Sequence, residues 1–140
     1  MTWQTWAMLS ALFAALTAIL AKVGVTGINS DVATFFRTIV VLLALAVILL
    51  VTGQSQRLGA IPARSYVFLT LSGLATGASW VCYFRALKMG PAALVAPIDK
   101  LSVVLVAILG VLFLGEKLSL RNWTGILMIA VGAILVALKK

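Results

Sequence analysis

Asp99 and Lys100 have the most chemistry to offer in this sequence, because they follow Pro97 inside the long apolar run 92–114. Charge in hydrocarbon is expensive, and ionisable residues there mark substrate or ion pathways by default. At 1.5 Å of rise per helical residue the pair lies roughly 11 Å below the start of its run. Pro97 has no N–H and its ring crowds the preceding turn. The turn about Ala93 is therefore expected to loosen and release carbonyls to a ligand or to proton-carrying water. Adjacent helical residues point about 100° apart, so Asp99 and Lys100 are not expected simply to neutralise one another. Ser102 lies close to the Asp99 stripe and could hydrogen-bond there. Asp99 is the only acid deep in an apolar run, which makes it the candidate carboxylate for proton coupling.

Arg37 offers a partner. It stands about five residues into the run 32–52, roughly 8 Å deep, and that run starts on the same side as 92–114. The two depths differ by less than the reach of the side chains. Arg37 and Asp99 are thus expected to approach at one mouth of a central cavity, and cysteines placed at the two positions should then crosslink. A static ion pair, or snorkelling of Arg37 to headgroups, is the plainer alternative. Trp80, Tyr83 and Phe84 share one helix face beside Ser79. Such a face suits organic cations or planar metabolites, although packing or an interfacial aromatic belt accounts for it equally well. Trp3, Trp6 and Trp123 read as interface anchors, and Glu116 with Lys117 as a turn that closes one helix and orients the next.

Several kinds of chemistry are excluded. The chain has no His, so His-ligated zinc and a Ser-His-Asp triad are out of reach, and the single Cys82 allows neither an internal disulfide nor a thiolate metal set. With no phosphate-binding loop, active transport would have to draw on an ion gradient or on exchange. No enzyme activity and no cofactor are expected.

The elements that must position these residues follow from composition. Of 140 residues 64% are hydrophobic and 10% charged, and the mean hydropathy is +1.21. A soluble domain is nearer half apolar and a quarter charged, so lipid is the implied solvent. Crossing about 30 Å of hydrocarbon takes about 20 apolar residues per helix. Five runs qualify: 3–21, 32–52, 64–87, 92–114 and 121–138. The expected fold is an all-α membrane protein with five transmembrane helices in a single domain, 1–140. Gly53 to Ala63, with Gln54, Gln56, Arg57, Gly59 and Pro62, forms the longest loop. Lys88-Met89-Gly90-Pro91 forms a tight turn, Pro suiting the next helix start. The N-terminus lacks the basic region of a signal peptide, and the first run reads as a retained helix.

Net charge is +8, from eleven Lys/Arg against three acids. The cations sit at helix ends and are not interleaved with aromatics, so lipid phosphates, not nucleic acid, are the expected partner. Arg57, Arg64, Lys117 and Arg121 flank one side. Lys22, Arg85, Lys88, Lys139 and Lys140 flank the other, with Arg37 just inside it. So even a balance gives the positive-inside rule little to act on, and insertion in both orientations is open, as is a single orientation set by N-terminal bias or Glu116. Small residues recur at packing spacing: Ala7, Ala11 and Ala15; Gly73 and Gly77; Gly125 and Gly132. Packing within one bundle accounts for them, and so does a contact between two copies.

From Tyr83 to Leu138 the text YFRALKMGPAALVAPIDKLSVVLVAILGVLFLGEKLSLRNWTGILMIAVGAILVAL resembles the EamA group of the drug/metabolite transporter superfamily. The landmarks are Ala86, Leu87 and Gly90 at a turn, Pro97 within the fourth helix, Gly115-Glu116 before the fifth, and the Gly125/Gly132 stripe. Arg37 also fits the pattern, and the string Pro97 to Ser102 is its most specific part. The whole chain looks like one five-helix unit of the bacterial/archaeal type. That resemblance implies a secondary carrier of the prokaryotic cytoplasmic (inner) membrane. Ten-helix relatives hold two such units in inverted orientation, so a single unit is expected to form a homodimer, antiparallel if insertion is dual. The implied substrate is a small metabolite or drug-like molecule, commonly exported, moved by alternating access. The first helix has no acid, so the coupling Glu of the four-helix multidrug subfamily has no counterpart here. A flippase for a lipid-linked intermediate, or a non-transporting subunit or assembly factor, are the alternatives.

Overall fold

Described in the computed structural model are residues 2–54 and 61–138. Met1, residues 55–60 and residues 139–140 lie outside them, and with these Gln56, Arg57 and Gly59 of the long loop and the cations Lys139 and Lys140. The described residues form helices α1 (Trp3–Gly24), α2 (Ser30–Val51), α3 (Ala63–Met89), α4 (Ala92–Asp99), α5 (Ser102–Leu114) and α6 (Leu120–Ala137), with no strand among them. α4 and α5 together make one span, Ala92–Leu114, so five spans are long and apolar enough to cross a bilayer. That agrees with the expected all-α fold and its five spans. The ends differ by a few residues: α1 continues through Lys22 to Gly24, α2 begins at Ser30, and α3 reaches Met89. At about 40 Å, α3 is longer than a bilayer's hydrocarbon, which lets Arg64 near its start and Arg85 and Lys88 near its end reach headgroup level.

Two compact units divide the chain, one of Met1–Ile19 with Met89–Lys140 and one of Leu20–Lys88. In the first, α4 and α5 pack on α6, where Gly110 and Ala133 are buried. Gly115 ends α5 in the left-handed conformation (φ 68°, ψ 22°), and the Glu116 N–H donates to Gly110 O at 3.1 Å. The Glu116 carboxylate lies against Gly110, where an added Cβ would stand 2.7 Å from Oε2. Glu116 thus closes the helix as expected of it. Ser119 caps α6, its Oγ accepting from Asn122 N at 3.3 Å. Because a Cβ at Gly115 would crowd the backbone, Gly115→Ala should cost about 1–2 kcal/mol, read as a lower melting temperature with Gly53→Ala, at another left-handed glycine, as comparison.

In the second unit the buried residues gather at one end, where α1 stops, α2 starts and α3 stops. Leu87 is fully buried, Val25 nearly so, and Ala21, Ala33 and Phe84 join them. Thr34 is buried too, its Oγ1 donating back to Ser30 O at 2.8 Å, the usual way a hydroxyl is satisfied without water. Leu87→Ala should destabilise the protein by about 2 kcal/mol in reversible detergent unfolding. That is the low end of the range for buried Leu, since lipid solvates the unfolded side chain better than water does.

Within their own units the glycine stripes carry no close neighbour. A Cβ at Gly73, Gly77, Gly125 or Gly132 would meet nothing within 4 Å.

Candidate transport site

α2 and α3 of the Leu20–Lys88 unit carry the first cluster. Asn29 accepts from Asp31 N at 2.7 Å and so fixes the start of α2. Beside it Arg85 grips Asp31 with two bonds, Nε to Oδ1 at 3.1 Å and Nη2 to Oδ2 at 2.8 Å. Lys88 Nζ donates to Ile28 O at 2.8 Å and Lys22 Nζ to Leu87 O at 2.5 Å. Three cations from α1 and α3 therefore clamp the first loop and the end of α3 together, with Asp31 the acid among them. From the sequence alone Arg85 and Lys88 read only as flanking charge. The pairing was recoverable, because the first and third loops share a membrane side and Asp31 sits at the entry of α2.

Deeper in α2 and α3, Arg37 meets the aromatic face. Its Cζ lies 3.9 Å from the centroid of the Trp80 ring and 5.6 Å from that of Phe84. Tyr83 is an electrostatic neighbour of the guanidinium. Arg37, Trp80 and Tyr83 are half-buried, and Phe84 is buried. Trp80 and Tyr83 belong to the face that suits organic cations or planar metabolites, or plain packing, and on the Trp80 ring here lies the protein's own cation, Arg37. Within this unit the acid Asp31 is taken by Arg85, so Arg37 rests on rings.

The second cluster belongs to the other unit. α4 runs unbroken through Pro97 to Asp99, and the irregularity falls at Lys100 and Leu101. There the backbone tightens. Lys100 N donates to both Ala96 O and Pro97 O, Leu101 N to Ile98 O, Val103 N to Lys100 O and Val104 N to Leu101 O. All but the Lys100–Ala96 bond are the i→i−3 bonds of a 3₁₀ turn. The loosening expected about Ala93 is thus corrected. Ala93 lies in the first turn of α4, where Leu94 and Val95 N–H both bond Pro91 O and hold the turn in shape, although Pro97, having no N–H, cannot give the Ala93 carbonyl its i→i−4 bond.

The side-chain expectation at this turn is corrected as well. Lys100 Nζ and Asp99 Oδ2 form an ion pair at 3.3 Å. Lys100 caps α4, and its long flexible stem swings back to its neighbour. Ser102 opens α5 and is exposed. Arg37 and Asp99 fall in different units, each with the partner just described.

So many large apolar side chains are exposed along every helix that only lipid could solvate them, and the chain is an integral membrane protein. It belongs to the EamA-like transporter family, which it matches over residues 1–138. It is also 65% identical, over 97% of its length and 96% of the other's, to a protein of Sinorhizobium described as an uncharacterized transporter in cobO 3'region. No solved structure matches. The chain is therefore a membrane transporter and not an enzyme, with lipid around it and a small molecule as its substrate.

Proposed function

We propose that this transporter is a secondary active exporter of a small metabolite or drug-like molecule, working by alternating access as a homodimer in the prokaryotic cytoplasmic membrane. The observation that carries the reading is the Asp99–Lys100 pair at the irregular turn of the fourth span. A carboxylate inside a membrane span is a candidate for proton coupling, and its protonation would break the ion pair with Lys100. Pro97, Ser102 and Lys100 then belong to the coupling site, and Arg37, Trp80 and Tyr83 to the substrate side. Within their own units Gly73, Gly77, Gly125 and Gly132 carry no close neighbour, and small residues in membrane helices serve close backbone approach, which favours a second copy. An antiparallel partner would supply the inverted half that many carriers hold in one chain.

The test is flux. Purified protein in proteoliposomes should move a labelled solute against its gradient when a proton gradient is imposed, and single cysteines beside Gly125 should crosslink two copies. Flux from a species that stays monomeric at all protein densities would reject the dimer. The clamp cations Lys22, Arg85 and Lys88 give some weight to a flippase for a lipid-linked intermediate, which would show as movement of a labelled lipid phosphate. Copurification with a larger membrane complex, and no flux, would favour the subunit reading.

A further inference from the structure

We propose that Arg37, held on Trp80 beside Tyr83, binds the oxyanion group of the transported solute, so that the substrate class is small organic anions. The proposal rests on the transport reading above and narrows it. A ring face attracts a cation but offers no lone pair, so stacking on Trp80 and Phe84 fixes the guanidinium while satisfying none of its five N–H donors. The acid of this unit is not available to them, because Asp31 is engaged by both bonds of Arg85. A half-buried guanidinium whose plane is set by aromatic rings is pre-organised for two parallel bonds to a carboxylate or phosphate, the geometry that Arg recognises best.

Register places this seat below a cationic entrance. Arg37 lies six residues beyond Asp31 on α2, and Trp80 five residues before Arg85 on α3. Both steps put the seat roughly 8–9 Å deeper than the clamp. The clamp carries Lys22, Arg85 and Lys88 against the one carboxylate of Asp31. An approaching anion would be drawn inward by that excess and a cation turned away. The Trp80 face that an organic cation would use is already covered by Arg37.

Benzoate, phenyl phosphate and benzylammonium serve as probes of one size and different charge. Titration calorimetry on the purified protein should give saturable binding of at least one of the two anions and none of benzylammonium. Arg37→Gln should weaken anion binding by at least about tenfold, or 1.4 kcal/mol. Arg37→Lys, which keeps the charge without the fork, should fall between, and it decides the matter should Arg37→Gln not fold. Benzylammonium bound as tightly as the anions, no saturable binding of either anion, or anion binding unchanged in the folded Arg37 variants would overturn the proposal. Flux in proteoliposomes separates the two claims. Arg37-dependent anion binding without any transport leaves the seat standing and counts against the carrier. Transport of benzylammonium that ignores Arg37 keeps the carrier and removes the anion seat.

Discussion

Asp99→Asn is expected to reduce proton-driven flux in proteoliposomes to the level of empty vesicles while leaving the protein folded. Asn keeps the shape of Asp and imitates its protonated form, so the ion pair with Lys100 (3.3 Å) is lost in every state and no proton can be taken up or given back. Ordinarily an acid inside a membrane span is retained only when it has work to do, and the other two acids of the chain are occupied elsewhere. Asp31 is in the Arg85 clamp and Glu116 closes α5 over Gly110. Asp99→Glu should keep part of the flux, because the longer carboxylate can still reach Lys100. Full proton-driven flux from the Asn variant would reject Asp99 as the coupling group.

Reversing the clamp should have the next largest effect, on assembly instead of turnover. Asp31→Arg would set a guanidinium against Arg85 and close to Lys88, and Arg85→Asp would leave two carboxylates facing each other. Both single variants are expected to lower the melting temperature and the amount of protein recovered from the membrane. An exposed ion pair in water is worth little, but this one is held by two bonds and ties the entry of α2 to the last turns of α3. The double exchange, Asp31→Arg with Arg85→Asp, restores the pair and keeps the number of cations on that membrane side unchanged. It should recover most of the loss. Recovery no better than in the single variants would mean that the positions need their own residue types and not the pairing.

How far the sequence could be read depended on whether a feature was periodic or local. Apolar run length defines a span by itself, so five spans were legible, as was the closing role of Glu116 after Gly115. Helix ends were less so. Lys22 looks like the start of a loop until its ammonium is seen to bond Leu87 O, a contact 65 residues away that no local rule supplies. The site residues were legible as types but not as partners. Arg37, Trp80 and Tyr83 stood out as a buried cation and an aromatic face, yet nothing in their spacing says that one covers the other. Likewise a helical wheel separates Asp99 from Lys100, and it fails because it tracks where side chains leave the backbone, not how far a four-carbon lysine stem can reach back to its neighbour.

The change of winding at Lys100 and Leu101 has a mechanical side. A 3₁₀ step turns about 120° and rises about 2.0 Å per residue, against about 100° and 1.5 Å in an α-helix. Recasting the two residues as α would therefore swivel α5 by about 40° about its own axis and draw it in by about 1 Å. The fourth span behaves as a screw with its thread changed midway, and Asp99 is the last residue before the change.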